Sequence, residues 1–556
     1  MTFHFSRQGL SRQARILERL FEILPGATSW SLLLGMGLLS FADPLLAAMA
    51  VIAFDLYWLL RLFYLTFFLV LSYLRLSVER DTNWMERAQG VGRLRQYLEE
   101  PQRVAPLSNL GEHLSLWVHG RELAALQHSD TPPPPLAAIY HLVIFPIVNE
   151  GPEVLGPGIE SLTRQPFPAS RMLVVFALEA RAPDHVKAGI RGMQAEYHGA
   201  FLDVLVVEHP DGLPGEARVK GANATYAAKA AARYLADRNI PFEHVIASCF
   251  DADTVVSPDY FGCLTYAFMV TPNRTRASFQ PIPVYHNNIW EAPAFARVLD
   301  IGASLFQLVE ATDPDKLVTF SSHSMSFKAL VEVGYWPVDL ISDDSAIFWK
   351  AFIHFDGDYR TIPLYVTVSM DVANAGSFWK TMVNVYKQKR RWAWGVENFP
   401  IVMRAFLASK RLSVYDKVRH GFKLFEAHVA WATWPLLLTV ISWLPALCAG
   451  REFSSSVVYY SAPRITSIIF SLASLSLAVT VILSQYLLPK RPGRSTLLTS
   501  ISQMMEWVSL PVVSTFLSAV PALDAQTRLL CGKYMEFWVT DKTHGRRRPA
   551  LRRGRS

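Results

Sequence analysis

The chain has 556 residues, 51% hydrophobic and 18% charged, with a mean hydropathy of +0.19; an average soluble domain carries roughly 25% charged residues. This composition excludes a disordered protein and argues against a purely soluble one, because the apolar excess lies in runs near both ends. The formal net charge is +7, but residues 545–556 hold six arginines and no acid, so the rest of the chain nets +1.

Arg7, Arg12, Arg15 and Arg19 precede an apolar segment at 28–42; Asp43-Pro44 interrupts it, and a longer apolar stretch runs through 45–74. A cleaved signal peptide is not normally followed at once by a second span, so residues 1–77 read as an N-terminal segment and two membrane helices. Arginines before the first span and after the second (Arg75, Arg80) place both flanks in the cytoplasm. Asp55 and Arg61, inside the second span, are costly in lipid and should face a partner helix. Residues 78–137 form a polar helical segment that ends in the stiff linker Pro132-Pro133-Pro134-Pro135.

Residues 138–420 have another rhythm. Apolar runs at 139–148, 172–178, 201–207 and 244–250 alternate with helical patterns at 153–163, 185–197 and 221–235. Near-continuous apolar strands separated by helices predict an α/β domain with a mainly parallel sheet covered on both faces. Ligands of such sheets bind beyond the carboxyl ends of the strands. Residues 421–523 make a C-terminal transmembrane region: spans at 428–449 and 465–488, a basic loop at 490–494, and a fifth apolar segment at 504–520 that contains Glu506 and Pro511. A simple crossing there would carry the arginines outside, so a re-entrant or interfacial segment is expected, followed by a basic cytosolic tail at 524–556. That tail suits an anionic lipid surface; nothing aromatic interleaves its arginines, so no nucleic-acid partner is expected. Four cysteines without CxxC or His pairing give neither a disulfide framework nor a zinc site, which fits a cytosol-facing domain.

Three motifs carry chemistry. Asp251-Ala252-Asp253-Thr254 closes an apolar strand, where paired carboxylates either hold a hard cation on a diphosphate or cap the next helix. Ser342-Asp343-Asp344 opens a helical pattern, where the acids offset the helix dipole and one can also project into a cleft as a general base. Gln388-Lys389-Arg390-Arg391-Trp392 combines an amide, cations and an indole, suited to a phosphate and a pyranose face, or else to a lipid-facing belt.

In this order and spacing the motifs resemble the membrane-integrated family 2 glycosyltransferases, the group of cellulose, chitin and hyaluronan synthases. The likeness covers about residues 138–400. Pro146, Asn149 and Glu150 stand where that family opens its nucleotide site, and Lys220 and Asn223 resemble its Lys-x-Gly-Asn element with a one-residue shift. Asp251 and Asp253 match its metal motif, and Asp343-Asp344 stand for its Glu-Asp. Gln388, Arg391 and Trp392 complete the Gln-x-x-Arg-Trp mark of its processive branch. After the second strand only Glu179 remains of the family's usual acidic pair. The resemblance implies a GT-A-type nucleotide-sugar-binding domain flanked by transmembrane helices. It also implies an inverting transfer from a nucleotide-diphosphate sugar, UDP-linked by family habit, to a growing glycan at the cytoplasmic face of a bacterial inner membrane.

In that scheme Asp344 is the base; Pro146, Asn149, Glu150, Glu179, Lys220, Asn223 and Asp251 bind the donor. Asp251 and Asp253 hold Mg²⁺ or Mn²⁺, and Asp343, Gln388, Arg391 and Trp392 meet the acceptor and diphosphate. Gln280-Pro281-Ile282-Pro283 and His323-Ser324-Met325-Ser326 either line the acceptor side or are ordinary loops. Membrane lipids are partners, as is a second copy or an export partner if the spans alone cannot form a channel. The alternatives are a single transfer to a lipid acceptor and a non-catalytic transport or scaffold subunit that keeps the fold.

Overall fold

The computed structural model describes residues 3–93, 110–129, 131–448, 457–491 and 497–536. The arginine tail and part of the polar segment expected before the linker lie outside the described residues. Helices α1 (Arg12–Ala42) and α2 (Pro44–Glu79) lead the chain. Asp43 closes one and opens the other: its N–H donates to Leu39 O and its carboxylate accepts from the Leu46 N–H at 3.0 Å. Pro44 takes the first helical position, where a missing N–H costs nothing. Asp55 is buried, and Arg61 reaches Glu426 at 3.3 Å and the Trp434 ring at 5.1 Å on another apolar helix.

After α3 (Trp84–Val91) and α4 (Leu110–Gln127), the alternating pattern becomes β1 (Tyr140–Ile147), α5 (Pro152–Thr163), β2 (Met172–Glu179), α6 (Asp184–Glu196), β3 (Asp203–His209), α7 (Lys220–Asp237) and β4 (Val245–Cys249). These strands pair in parallel in the order β3-β2-β1-β4. In β2 the period of two sends Met172, Val174, Phe176 and Leu178 into one core, with Leu155, Ile159 and Ile190, while Leu173, Val175 and Ala177 enter the other. Both faces are covered, which is why the run is apolar throughout. On the second face α7 presents Ala224, Ala227, Ala228 and Ala231, small enough to let the helix lie close on the strands.

The other half of the sheet is mixed rather than parallel. It holds β5 (Val255–Val256), then α8 (Tyr260–Val270), β6 (Ala277–Val284), α9 (Ala294–Glu310), β7 (Ser324–Ser326), α10 (Phe327–Glu332), α11 (Asp343–His354) and β8 (Arg360–Ser369). Strand β7 runs antiparallel between β4 and β6; β6 pairs with β8 in parallel, and β5 lies antiparallel at the edge. A mainly parallel sheet was the expectation, and these additions escape it because β5 and β7 are two and three residues long. Such short pieces carry no periodic apolar signal.

Four helices among the described residues are long and apolar enough to cross a membrane: α1, α2, Arg464–Leu487 and Leu498–Leu530. Helix α14 (Val414–Thr439), which follows α12 (Phe378–Ala393) and α13 (Asn398–Ala408), bends by 41° into Ile441–Leu447 and adds a fifth if the pair is one span. The run Leu498–Leu530 contains a π-turn at Thr515–Ala519. It touches the α/β domain near both ends, through Glu506 to Arg297 and through Asp524 to Arg390 at 2.8 Å.

Burial holds several histidines of the α/β domain neutral: His141 is pushed down to about 3, and His286 and His323 to about 4. The unfolded chain binds these protons near the ordinary value of about 6.5 and the fold does not. Stability is therefore fully present above about pH 6.5 and falls as pH drops toward 4, by up to about 1.4 kcal/mol per pH unit for each histidine. Thermal unfolding of the detergent-solubilised protein between pH 7.5 and 5 checks this; a melting temperature that holds constant or rises on acidification contradicts it.

Candidate active site

A cavity of about 1060 Å³ opens at the carboxyl ends of β1, β2 and β4, bounded on its far side by α11 and α12. Pro146, Asn149, Glu150, Glu179, Lys220, Asn223, Asp251, Asp253, Asp343, Asp344, Gln388, Arg391 and Trp392 all line it. The parallel half-sheet supplies the first six, the end of β4 the two DxD acids, the N-terminus of α11 the next pair, and one face of α12 the rest.

The centre is a cation among carboxylates. Lys220 Nζ lies 2.7 Å from Asp251 Oδ1 and 2.9 Å from Asp344 Oδ1, joining the end of β4 to the start of α11. Burial works against the ammonium, but Asp251 and Asp344 outweigh it and hold its pKa well above that of an ordinary lysine. The next residue must be glycine: a Cβ on Gly221 would stand 2.3 Å from Pro337 O and 2.9 Å from Asp343 Cβ. Burial, then the neighbouring Asp344, pushes the Asp343 carboxyl well above the usual range, and its Oδ2 has no hydrogen-bond partner. Asp344 is the more exposed of the two and its main-chain oxygen accepts from Thr319 Oγ1 at 2.6 Å.

Asp251 also accepts from Ser321 Oγ, and its N–H donates to Ser322 Oγ at 3.2 Å. Asp253 accepts the Asp371 N–H at 3.0 Å. No group of three or more His, Cys, Asp or Glu side chains arranged for a metal occurs among the described residues. Two carboxylates at a cleft fit a hard cation such as Mg²⁺ or Mn²⁺ that takes its other ligands from substrate phosphates and water.

At the strand end of the cavity Glu150 accepts the N–H groups of Val148 and Asn149 at 2.8 and 2.9 Å, shaping its own turn. Asn223 donates to Ala177 O at 2.7 Å, fastening α7 to β2, while its Oδ1 stays without a partner. Glu179 lies 3.6 Å from Arg181 and 3.5 Å from His209, and burial raises its pKa above the usual carboxylate range.

Only part of the five-residue basic motif faces the cavity. Gln388, Arg391 and Trp392 share a helix face at i, i+3 and i+4, and Gln388 Oε1 is buried without a partner. Arg390 turns away to Asp524. Lys389 is buried on Asp300 of α9 at 2.7 Å with its ammonium 3.7 Å from the Trp392 ring centroid. Tyr285 and Phe320 hold that indole from other sides at 6.2 and 5.8 Å between centroids. The pair thus supports the residue that faces the cavity. Asp300→Ala is expected to destabilise the fold by about 3–5 kcal/mol, because it strands a buried cation; a thermal midpoint equal to the parent's contradicts this.

The two segments expected as acceptor-side loops are instead part of β6 and, from Ser324, β7, and they do not line the cavity. Gln280 is buried, its Oε1 accepting the Phe320 N–H at 2.7 Å, and His323 is wholly buried beneath Asp344. They form a floor that presents Thr319, Phe320 and Ser321 instead. Sequence reasoning also missed Tyr285, Asp371, Trp379 and Val383. Trp379 and Val383 were within reach, since counting back from Arg391 in steps of four passes Lys387 and arrives at both.

A family model described as Glycosyl transferase family group 2 matches residues 248–484, a stretch that includes all three motifs. Over those residues the chain is similar to a family 2 glycosyltransferase domain, and the domain around the cavity has a mixed α/β fold. The chain is 26% identical over 241 residues to a poly-beta-1,6-N-acetyl-D-glucosamine synthase of Staphylococcus epidermidis, covering 41% of this chain and 53% of the relative. The chain thus spans about half the length of that relative. Solved structures similar to it include the mannosyltransferase PcManGT of Pyrobaculum calidifontis in complex with GDP-Man and Mn²⁺. There the TM-score is 0.39 and the identity 16%, over 71% of this chain and 98% of that one. TarS 1-349 of S. aureus in complex with UDP-GlcNAc has a TM-score of 0.34 and 12% identity, over 72% and 95%.

Proposed function

We propose that the protein transfers a sugar with inversion from a nucleoside-diphosphate sugar, of the UDP-linked class, to a hydroxyl of a growing polysaccharide. The α/β domain faces the cytoplasm and the apolar helices hold it on the bacterial inner membrane. The observation that carries this is the Asp251–Lys220–Asp344 bridge across a cavity whose other wall is Gln388, Arg391 and Trp392. It puts a lysine, an acid of the metal motif and a candidate base within hydrogen-bond distance of one another.

Asp251 and Asp253 would hold Mg²⁺ or Mn²⁺, which when bound supplies positive charge against the departing diphosphate. Lys220 and Arg391 add fixed cations on the same group, preorganised and out of bulk water. Asp344 accepts the acceptor hydroxyl proton as that oxygen forms its bond to C1; the C1–phosphate oxygen bond breaks on the opposite face and its electron pair leaves with the diphosphate. Trp392 offers an apolar ring face to the acceptor sugar, and Gln388 Oε1 offers an acceptor for one of its hydroxyls. Glu179 and Asn149, which line the cavity at the strand end, contact the nucleoside in this reading. A polymer product is supported by the likeness to a polysaccharide synthase and by the Gln-x-x-Arg-Trp face. A re-entrant or interfacial course for Leu498–Leu530 is supported by its contacts with the α/β domain near both ends.

The test is purified protein in lipid nanodiscs with Mn²⁺ and a panel of nucleotide sugars, reading nucleoside diphosphate release and product mass, with Asp344→Asn alongside. Turnover of one donor into an oligomeric product is the expected result. A product one sugar long on a lipid replaces the polymer acceptor; no turnover of any donor, or equal turnover by the variant, refutes catalysis.

A further inference from the structure

Two parts of the site must keep register during transfer: the start of α11, which carries Asp343 and Asp344, and α12, which carries Gln388, Arg391 and Trp392. They belong to separate elements, and β8 lies between them in the chain. A buried carboxylate joins them. Glu397, almost fully buried in the turn Trp394–Glu397 that follows α12, accepts five hydrogen bonds. Its Oε1 takes the Ile341 and Ser342 N–H groups, each at 2.9 Å, and the Ser342 hydroxyl at 2.8 Å. Its Oε2 takes Trp394 Nε1 at 2.9 Å and Arg7 Nη2 at 3.0 Å. Ser342 is the residue that opens α11, so the carboxylate grips the backbone immediately ahead of the two acids. The neighbouring Asn398 adds a second tie, donating to Ser345 Oγ at 3.0 Å.

The fifth donor comes from far away in sequence. Residues before α1 run along the underside of this region: Phe5 is buried in the same core as α11, Ser6 Oγ donates to Asp339 Oδ2 at 2.5 Å, and Arg404 Nη2 donates to Ser6 O at 2.8 Å. Among the described residues Arg7 is the one cation paired with Glu397, and it also lies 4.8 Å from the Tyr534 ring centroid. A carboxylate buried close to Asp343 and Asp344 needs such a charge, since otherwise three acids would oppose one another at the mouth of α11.

We infer that Glu397 is a positioning residue for sugar transfer, holding the base-bearing turn in register with the acceptor-binding face of α12, and that Arg7, ahead of the first span, is its charge partner. The inference rests on Asp344 being the base. Of the cavity lining, Glu397 hydrogen-bonds Ile341 and Ser342, at the turn that opens α11, whereas the residues proposed for the nucleoside stand on β1, β2 and α7. Its loss should therefore act on the transfer step and leave nucleotide binding alone.

The experiment uses the full chain in nanodiscs with the donor that the parent turns over. Glu397→Gln keeps the volume but sets an amide N–H₂ against the donors of Trp394 and Arg7 or of Ile341 and Ser342. Expected for Glu397→Gln is a 10- to 100-fold fall in kcat, a donor KM and a UDP–Mn²⁺ dissociation constant within twofold of the parent's, and a larger fraction of donor lost to water instead of acceptor. Arg7→Gln should show the same pattern at about tenfold, Arg7→Lys should recover most of it, and the Arg7→Gln/Glu397→Gln double variant should fall no further than Glu397→Gln. Parent-like kcat in Glu397→Gln overturns the inference. So does a parallel loss of UDP binding and transfer, which marks a merely structural role. If Glu397→Gln does not fold, parent-like kcat in Arg7→Gln overturns the inference and the expected Arg7→Gln pattern with Arg7→Lys rescue supports it. Failure of the underlying function looks different, since then the parent is inactive or Asp344→Asn equals it.

Discussion

Asp344→Asn is expected to reduce sugar transfer by about 10²- to 10⁴-fold, the usual worth of a positioned base, with nucleotide binding retained. The amide has the shape of the carboxylate and its Oδ1 can still accept from Lys220 Nζ, now at 2.9 Å from Asp344, so the lysine keeps a partner. What is lost is the proton acceptor at the cleft. Neither neighbour can replace it. Asp343 is buried and its carboxyl is pushed well above the usual range by burial and by Asp344 itself. His323 lies 4.0 Å from Asp344 Oδ1 but is wholly buried, its Nδ1 directed at Phe320 O at 3.1 Å. Nucleoside diphosphate release with matched titration of UDP and Mn²⁺ reads both halves. Transfer within threefold of the parent removes Asp344 from the role of base; loss of UDP binding in step with transfer makes it part of the donor site instead.

Lys220→Met is expected to be nearly as damaging, about 10²-fold in activity, and unlike Asp344→Asn it should also destabilise the fold by about 3–5 kcal/mol in the absence of divalent metal. Lys220 is the cation that Asp251 and Asp344 share, and Asp343 adds a third carboxyl nearby. Without it the acids repel one another in a half-buried setting where two charges at 4 Å exchange about 4 kcal/mol. The folded state of the variant therefore has less stability than that of the parent. Divalent metal should restore part of it: millimolar Mn²⁺ is expected to raise the melting temperature of Lys220→Met more than that of the parent, where Lys220 already neutralises Asp251. Equal midpoints for variant and parent in chelator, or an equal response to Mn²⁺, would show that the bridge is not what holds these acids together.

Much of this site was legible one motif at a time. Asp251 and Asp253 stand at the end of an apolar run, and a parallel sheet can only place such residues at its ligand-binding edge. Asp343 and Asp344 open a helical pattern, a fixed place for a carboxylate. The basic motif was legible only in part. Spacing alone makes Gln388, Arg391 and Trp392 one face of a helix, but nothing local says that Lys389 pairs with Asp300 or Arg390 with Asp524, because those partners lie 89 and 134 positions away. The two loops expected at the acceptor side failed for a related reason: polarity marks Gln280 and His323 equally well as a cavity lining and as a buried hydrogen-bonded floor, and only packing decides between them.

By itself the sequence determined what local periodicity and composition can carry: apolar runs near both ends, four parallel strands with their helices, and the order of the motifs along the chain. Those follow from burial patterns that repeat every two or 3.6 residues, which a chain displays before it folds. The tertiary structure alone decided the mixed half of the sheet, where β5 and β7 are too short to show a period and the pairing of β6 and β8 joins distant segments, and every contact between residues far apart in sequence. Lys220 between Asp251 and Asp344, Lys389 beneath Trp392, and Arg7 on Glu397 are all of that kind. A charge is exposed or buried, paired or opposed, according to what the fold brings beside it. The physical character of this site, a part-buried cation shared by acids on different elements, therefore belongs to the fold and to no segment of the chain taken singly.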